Sequence, residues 1–458
     1  MAQNKLDNVV KDLIAALGSE RVETSLSALT LVMSDESGFH ADRPPVCVVY
    51  PESTEDVQSV VRCAALHDVP VTIRGAGTGL TGASMGSHGE IVLSTLRMNQ
   101  VLEIDFANRC ARVQAGVING DFDDLLRENG FWFAPDPASR KISSIGGNVA
   151  TNAGGLMCAK YGVTREAVLS AVVVLADGSS ITVGRSTVKG VTGLDLTALF
   201  VGSEGILGVI SEVTVKILPV SDHPVVTLSA YFSTVNEAAV ASARVTENNL
   251  QPAVMEIMDS QCLAAVHEYL NISSPHDRAS HILIQFDGAD AEVQALSCRA
   301  ILENCGARDV DIASDSEAEA LLEVRRSVHP SLARLGTTLI EDVCVPRSKL
   351  GEMFDEIARI SAKYSVSIPT VCHAGDGNLH PNFIFDGEVV PEHIWEAASE
   401  IFAAALALGG TLTGEHGVGF LKSRWLRDEL GPRQYQLQQD IKHVFDPHSL
   451  FNRGRVFS

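Results

Sequence analysis

Hydrophobic positions in the first half of the chain follow helical spacing in some segments and strand spacing in others. Apolar residues from Leu6 to Leu17 recur every three or four positions and stop at Gly18, which predicts a helix over residues 4–18. A second apolar stripe, Val57 to Leu66, follows Ser53, a suitable helix N-cap. Strands are predicted at residues 69–73, 90–93, 100–105, 110–115 and 209–218, and Asp177-Gly178 predicts a hairpin.

The pattern changes near residue 220. From there a predicted strand (225–232) precedes a predicted helix (235–247), and a second such pair follows at 281–286 and 291–305. This alternation, with some antiparallel pairing, predicts a second domain of the α+β class. A chain of 458 residues is also too long for a single hydrophobic core.

Composition excludes several classes of function. A formal net charge of -22 argues against a nucleic-acid partner, since phosphates are bound by basic surfaces. No apolar run reaches the ~18 residues of a transmembrane segment. The polar first ten residues lack the apolar core of a signal peptide, which predicts a cytoplasmic location. Nine scattered cysteines with no C-x-x-C pair predict reduced thiols rather than iron–sulfur or zinc-ribbon sites.

Three glycine-rich stretches predict an extended cofactor lying along backbone. The first, Arg74 to Gly82, contains a G-x-G-x-x-G match, but Gly86 and Gly89 follow it closely, so the helix of a dinucleotide fold is not expected. Its amides can still surround a phosphate. Residues 135–155 and 202–210 are rich in small residues, which allow backbone to approach a flat ring. The alternative for the first stretch is a plain turn between strands.

Two histidines seven positions apart, His373 and His380, precede Glu415 by some thirty residues. Two imidazoles and one carboxylate form a metal-ligand set that leaves open positions for a substrate. The neighbouring His416 is a candidate general base, because imidazole titrates near neutral pH.

Strand alternation places His380 and Asn382 on one face, so Asn382 is predicted to contact substrate. Pro381 predicts that this strand lies at a sheet edge or is just beginning, since proline has no N–H for a neighbouring strand. Asp376 is predicted to orient a metal ligand.

The three glycine-rich stretches, the His373 and His380 pair and the Glu415-His416 segment occur in this order along the chain. Together they resemble the FAD-linked oxidases of the vanillyl-alcohol oxidase superfamily, and the resemblance covers residues 40–457. The most similar branch contains D-lactate dehydrogenase, D-2-hydroxyglutarate dehydrogenase and the glycolate oxidase flavin subunit. The resemblance implies a two-lobed FAD-binding domain of the p-cresol methylhydroxylase (PCMH) type over residues 1–219. It further implies an α+β substrate (cap) domain with an antiparallel sheet and the metal site over 220–430, and a segment, 431–458, that returns to the FAD domain.

The resemblance also implies which residues bind the cofactor. These are Arg74, Gly75, Ala76, Gly77, Thr78, Gly79, Pro135, Gly146, Asn148, Thr151, Asn152, Gly155, Glu204, Ile210 and Asn452. Thr78 stands where relatives with covalently attached FAD carry histidine, so non-covalent FAD is expected. The usual Asn-Pro-Gly near the chain end is Asn452-Arg453-Gly454 here.

For the reaction, the resemblance implies oxidation of a D-2-hydroxy acid to the 2-oxo acid by hydride transfer to flavin N5. His373, His380 and Glu415 would hold zinc, manganese or iron, and His416 would take the hydroxyl proton. Arg325 aligns with the arginine that binds the substrate carboxylate, while Arg326 is expected to be a surface charge.

The expected partners are a small 2-hydroxy acid and an electron acceptor, which can be a quinone, a cytochrome, an electron-transferring flavoprotein or oxygen. Ile340 occupies the position of a lysine expected in the hydroxyglutarate branch, which slightly favours a lactate-like acid. A homodimer is one expected oligomeric state. The alternatives are a non-redox flavin transferase like alkylglycerone-phosphate synthase, a flavin-free metallohydrolase, and the flavin subunit of a glycolate oxidase complex.

Overall fold

The computed structural model describes residues 2–273 and 279–457 and divides into two compact units. The first unit comprises Met1–Gly154, Gly162–Val220 and Glu415–Ser458, and the second comprises Gly155–Tyr161 and Ser221–Gly414. The domain boundaries expected at residues 219 and 430 stay predictions.

The helices of both units are, in chain order, α1 (Ala2–Leu17), α2 (Leu26–Leu31), α3 (Thr54–Leu66), α4 (Asn119–Arg127), α5 (Ile145–Thr151), α6 (Cys158–Tyr161), α7 (Thr164–Ala167), α8 (Thr197–Phe200), α9 (Val235–Glu247), α10 (Ser260–Leu270), α11 (Ala291–Asn304), α12 (Asp315–Arg326), α13 (Val328–Leu332), α14 (Leu350–Tyr364), α15 (Glu392–Ala407) and α16 (Ser423–Phe445). None of the described helices is long and apolar enough to cross a membrane.

The strands are, in chain order, β1 (Val22–Glu23), β2 (Cys47–Val49), β3 (Val71–Arg74), β4 (Ile91–Ser94), β5 (Val101–Asp105), β6 (Cys110–Gln114), β7 (Phe131–Trp132), β8 (Val168–Val174), β9 (Ser180–Gly184), β10 (Val209–Lys216), β11 (Leu218–Pro219), β12 (Val226–Phe232), β13 (Val254–Met258), β14 (Ser280–Phe286), β15 (Arg308–Ile312), β16 (Thr337–Ile340), β17 (Val343–Cys344), β18 (Thr370–His373) and β19 (Asn378–Phe385).

A four-stranded sheet, β1-β2-β4-β3, forms one lobe of the first unit, and β4 runs parallel to both β2 and β3. Strands β2 and β4 are buried on both faces, which explains why both are nearly continuous apolar runs. Val9 and Leu13 of α1 and Val57 of α3 belong to the core on one face of this sheet. The predicted helices at 4–18 and after Ser53 are confirmed as α1 and α3.

The other lobe of the first unit is a five-stranded antiparallel sheet, β5-β6-β10-β8-β9. The hairpin predicted at Asp177-Gly178 joins β8 to β9, and Gly178 adopts φ +77°. After the second unit, the chain re-enters the first unit at Glu415 and then forms α16, which breaks at Gly431 before Pro432. The carbonyl of Leu450 then accepts a hydrogen bond from the Val71 amide, so the chain end is attached beside β3.

The second unit contains one antiparallel sheet in the order β15-β12-β14-β13-β18-β19-β16, with β17 also paired to β19. Helix α9 begins with a capping box between Thr234 and Glu237 and spans the predicted residues 235–247. This antiparallel α+β unit matches the predicted class.

Strand β19 corrects one expectation. It lies inside the sheet between β18 and β16, and Pro381 is its fourth residue, so both alternatives predicted from Pro381, an edge position and the beginning of a strand, are wrong. On the edge of β19 opposite β18, the neighbouring strand changes from β17 to β16 near Pro381, so the missing N–H of proline is accommodated there. The Pro381 carbonyl still accepts a hydrogen bond from the Glu341 amide.

Candidate functional site

The first glycine-rich loop leaves β3 at Arg74 and contains no helix, as predicted. The Arg74 guanidinium donates to the carbonyls of Ser34 (2.7 Å) and Ser84 (3.1 Å), which braces the loop. Gly77 has φ +77°, and a Cβ there would lie 2.1 Å from the Arg74 side chain, so glycine is required. Among the described residues no acceptor binds the amides of Ala76, Gly77 or Thr78, so these N–H groups are available to a phosphate.

The second stretch forms α5, a helix that the small, glycine-containing sequence did not predict. The Ser144 hydroxyl caps it by accepting a hydrogen bond from the Gly147 amide at 3.3 Å. A Cβ at Gly75 would lie 2.5 Å from Ser144 Oγ, and a Cβ at Gly146 would lie 2.5 Å from Ala115 Cβ. These two glycines are therefore needed for the close packing of protein segments.

Both stretches line one cavity of the first unit. Its volume is about 1260 Å³ when the solvent-filled mouth is included. Of the predicted cofactor-binding residues, the lining includes Gly75, Ala76, Gly77, Thr78, Gly79, Gly146, Asn148, Thr151, Glu204, Ile210 and Asn452. Glu415 and His416 line the same cavity.

Four predicted residues do not line the cavity. Arg74 braces the loop, and Gly155 belongs to the second unit. The Pro135 carbonyl accepts from the Asn119 side chain, and the Asn152 side chain accepts from the backbone amide of Arg165. The cavity lining also includes Ala115, Ser144 and Gly147, which were not among the predicted cofactor-binding residues. Ser144 and Gly147 stand at the beginning of α5, a helix that the sequence did not predict.

Glu204 anchors the turn that carries Glu415 and His416. Its buried carboxylate accepts hydrogen bonds from the amides of Val418 (2.8 Å) and Gly419 (2.7 Å). Burial raises the pKa of Glu204 to about 7, although the two amides and the Lys422 charge oppose this shift. Local sequence gave no indication of this contact, because the partners are more than 200 positions apart.

Asn452 connects three parts of the first unit. Its side-chain oxygen accepts a hydrogen bond from the Ile73 amide at 2.8 Å, and its side-chain nitrogen donates to the Glu204 carbonyl at 2.6 Å. The asparagine of the altered Asn452-Arg453-Gly454 motif thus fixes the end of β3 and the Glu204 turn at the cavity wall.

The cavity suits FAD, the cofactor that the resemblance implies. No lysine or arginine occurs among its described lining residues, so the pyrophosphate would be bound by the backbone amides of the 76–78 loop. The side-chain nitrogen of Asn148 is buried in the wall without an acceptor among the described residues. A flavin ring with polar edges would satisfy this donor.

His373 and His380 lie together in the second unit, on β18 and β19. Their ring centroids are 5.0 Å apart, and both side chains are buried. His373 Nδ1 lies 2.7 Å from Glu256 Oε1, and we assign the ring proton to Nδ1 because a carboxylate can only accept. Nε2 is then the nitrogen that can bind a metal.

Glu256 links His373 to Arg325, whose Nε donates to the other carboxylate oxygen at 2.8 Å. Burial alone would raise the pKa of Glu256, but its electrostatic interactions and hydrogen bonds with His373 and Arg325 together outweigh burial and hold the pKa below its usual value. Sequence reasoning missed Glu256. The available signal was a single carboxylate inside the apolar run Val254–Met258.

The other predicted residues of the second unit are placed as follows. Arg326 pairs with Glu319 at the surface, as expected for a solvent-exposed charge. Asn382 is fully buried and donates to the carbonyls of Pro369 and His380, and its side-chain oxygen has no donor among the described residues. Ile340 lies directly opposite Asn382 in the β16–β19 pairing.

Asp342 fixes the chain immediately before Glu415. This fully buried carboxylate accepts hydrogen bonds from the Thr413 hydroxyl (2.8 Å) and the Gly414 amide (2.6 Å). Asp376 accepts from the Asn378 amide at 3.2 Å within the turn between β18 and β19. The role of Asp376 in orienting a metal ligand stays a prediction.

Comparison with known proteins adds independent information. The family described as "FAD binding domain" matches residues 45–184, and that described as "FAD linked oxidases, C-terminal domain" matches residues 222–456. The glycolate oxidase subunit GlcD of Bacillus subtilis (strain 168) is 39% identical, over 98% of this chain and 97% of that protein. The D-lactate dehydrogenase of Archaeoglobus fulgidus is 35% identical, over 89% of this chain and 90% of that protein.

Among solved structures, p-cresol methylhydroxylase with substrate bound aligns with a TM-score of 0.81. The aligned region covers 99% of this chain and 97% of that one at 17% identity. This likeness confirms the predicted PCMH-type fold.

Proposed function

The chain belongs to the FAD-linked oxidases of the vanillyl-alcohol oxidase superfamily, and from that premise we propose that it oxidises a lactate-like D-2-hydroxy acid to the 2-oxo acid. The observation that carries the proposal is the buried series Arg325–Glu256–His373 in the second unit. One carboxylate holds both a guanidinium suited to a substrate carboxylate and an imidazole suited to a metal.

Each group has a defined task in this proposal. The backbone amides of residues 76–78 and the Asn148 side chain would hold FAD in the glycine-lined cavity, and the bound FAD would supply the acceptor for the hydride of the substrate's Cα. His373, His380 and Glu415 would hold a divalent zinc, manganese or iron ion, which would lower the pKa of the substrate hydroxyl. His416 accepts the hydroxyl proton, and the turn that carries it is fixed by the two amide hydrogen bonds to Glu204.

The residues around His380 support a small substrate with an apolar substituent. Arg325 retains its terminal guanidinium N–H groups for a carboxylate, because its hydrogen bond to Glu256 uses only Nε. The side-chain oxygen of Asn382 can accept a hydrogen bond from a substrate hydroxyl. Ile340, opposite Asn382, presents an apolar side chain on the same face, which suits a methyl group better than a second carboxylate.

The decisive experiment mixes the FAD-loaded protein anaerobically with D-lactate, L-lactate, glycolate, D-2-hydroxybutyrate and D-2-hydroxyglutarate and follows flavin absorbance. D-lactate or D-2-hydroxybutyrate should bleach the flavin fastest. A chelator should abolish bleaching, and added zinc, manganese or iron should restore it. His373→Ala and His380→Ala should fail to reduce the flavin, whereas the control His393→Ala, an exposed histidine of the same unit, should behave as wild type. Flavin that no D-2-hydroxy acid bleaches would refute the proposal.

A second candidate is the flavin subunit of a glycolate oxidase complex. It is favoured by the 39% identity to a protein named as a glycolate oxidase subunit, compared with 35% to a D-lactate dehydrogenase. The same titration separates the two, because this candidate requires glycolate to bleach the flavin fastest. Co-purification of the tagged chain with additional subunits would further support it.

A further inference from the structure

Away from the glycine-lined cavity, the first unit brings a carboxylate, a thiol and an imidazole together between α1 and α3. One potential ligand atom from each of Asp12, Cys63 and His67 lies within 4.8 Å of the others. Asp12 Oδ2 is 2.7 Å from His67 Nε2. None of the three residues lines the glycine-lined cavity.

Helix geometry and core packing, rather than the polar groups themselves, create this arrangement. Cys63 and His67 are four positions apart, so they share one helix face, and the His67 amide donates to the Cys63 carbonyl at 3.2 Å. The buried Val9 and Leu13 hold α1 against α3, which brings Asp12 to the same place. The Cys63 thiol also contacts the Val9 carbonyl at 3.7 Å.

We propose that Asp12, Cys63 and His67 form a second metal site, which binds one Zn²⁺-like cation and completes a tetrahedron with water. Zinc bonds of about 2.0–2.3 Å place tetrahedral ligands about 3.3–3.6 Å apart, within the observed span. The Asp12 side chain is 54% exposed and can rotate to open the short contact with His67. A thiolate ligand selects zinc, cadmium or cobalt over magnesium and calcium.

The surrounding charges permit a cation here. Without metal, burial and the Asp12 carboxylate raise the pKa of Cys63 to about 11, so the thiol is protonated. A bound dication reverses that balance, and the thiol proton leaves to solvent. The nearby cation Lys5 is paired with Asp68 at 3.1 Å. A metal bound in this way would connect the N-terminal helix to α3.

Cadmium titration of the FAD-loaded protein tests the site, because cadmium–thiolate bonding gives an ultraviolet charge-transfer band. The same protein without cadmium serves as the optical reference and cancels the flavin spectrum. The site proposed for His373, His380 and Glu415 contains no sulfur, so the band reports on Cys63 whether or not the proposed oxidase function is correct. We expect one thiolate-bound cadmium per chain.

Variants locate the ligands. Cys63→Ser should abolish the band, whereas Cys305→Ser, which removes a partly buried thiol of the second unit, should retain it. Asp12→Asn changes an exposed side chain and should lower the affinity for cadmium about tenfold or more. Mutating a residue that only hydrogen-bonds to a metal ligand already lowers metal affinity about tenfold, and Asp12 is proposed as a ligand itself. No band in the wild type, a band that survives Cys63→Ser, or unchanged affinity in Asp12→Asn would each overturn the proposal.

Discussion

Replacing Gly417 by alanine tests how the His416 turn is held. Gly417 has φ +87°, and a Cβ there would lie 3.0 Å from the carboxyl carbon of Glu204. The left-handed backbone alone costs alanine about 1–2 kcal/mol. The carboxylate cannot withdraw without losing its hydrogen bonds to Val418 and Gly419, so the turn itself must shift. The clash requires a shift of a few tenths of an ångström. A misplacement of about 1 Å costs a rate about 100-fold, so this smaller shift should cost up to about tenfold.

Gly130→Ala is the matched control, because Gly130 has φ +77° and no atom within 4 Å of the added Cβ. It carries the backbone strain without the clash. The unfolding temperature should fall by about 2–4 °C for each kcal/mol of unfolding free energy that a variant loses. It should fall further in Gly417→Ala than in the control. The rate of anaerobic flavin reduction per bound FAD should fall by up to about tenfold in Gly417→Ala and stay at the wild-type value in Gly130→Ala. Equal unfolding temperatures, or a wild-type rate in Gly417→Ala, would refute the reasoning.

Four further predictions concern other residues of the candidate sites. Glu256→Gln should weaken metal binding at His373 about 10–100-fold in a chelator competition, and unchanged affinity would contradict the orienting role. Arg325→Lys should raise KM for the hydroxy acid about 10-fold or more with a smaller effect on kcat, since lysine lacks the planar fork; an equal KM would exclude Arg325 from carboxylate binding. Because burial raises the pKa of Glu204 from 4.5 in the unfolded chain to about 7, its contribution to stability is complete below pH 4.5 and is lost as the pH rises to 7. The stability of wild type relative to Glu204→Gln should therefore fall by up to about 3 kcal/mol over that range, and a pH-independent difference would argue against the shift. With Thr78 in place of histidine, acid precipitation should release the flavin to the supernatant, whereas a yellow pellet would indicate covalent attachment.

The residues of the candidate sites differ in how far sequence could find them. The His373 and His380 pair, Glu415 and the glycine loop at Gly75–Gly79 stand in compact motifs, and the structure places the two histidines together and the glycine loop on the cavity wall. Glu256 was not found, although it contacts both His373 and Arg325. A motif shows which side chains are present, but a partner 117 positions away has no fixed spacing that could reveal it.

Sequence alone determined the elements whose signals are local. The α9 helix over 235–247 and the Asp177-Gly178 hairpin were both predictable, because helix and turn preferences depend on a few neighbouring residues. Helix α5 was not, because its glycines have poor helix propensity and packing against Gly75 and Ala115 decides its position.

Only the tertiary structure decided which distant groups meet. It placed Glu204 under the His416 turn, Pro381 inside the sheet where its neighbouring strand changes, and Asp12 beside Cys63 and His67. Each of these contacts joins segments that lie far apart in the chain. Their encounter depends on the burial of apolar faces from whole sheets and helices, and no local spacing in the sequence specifies it.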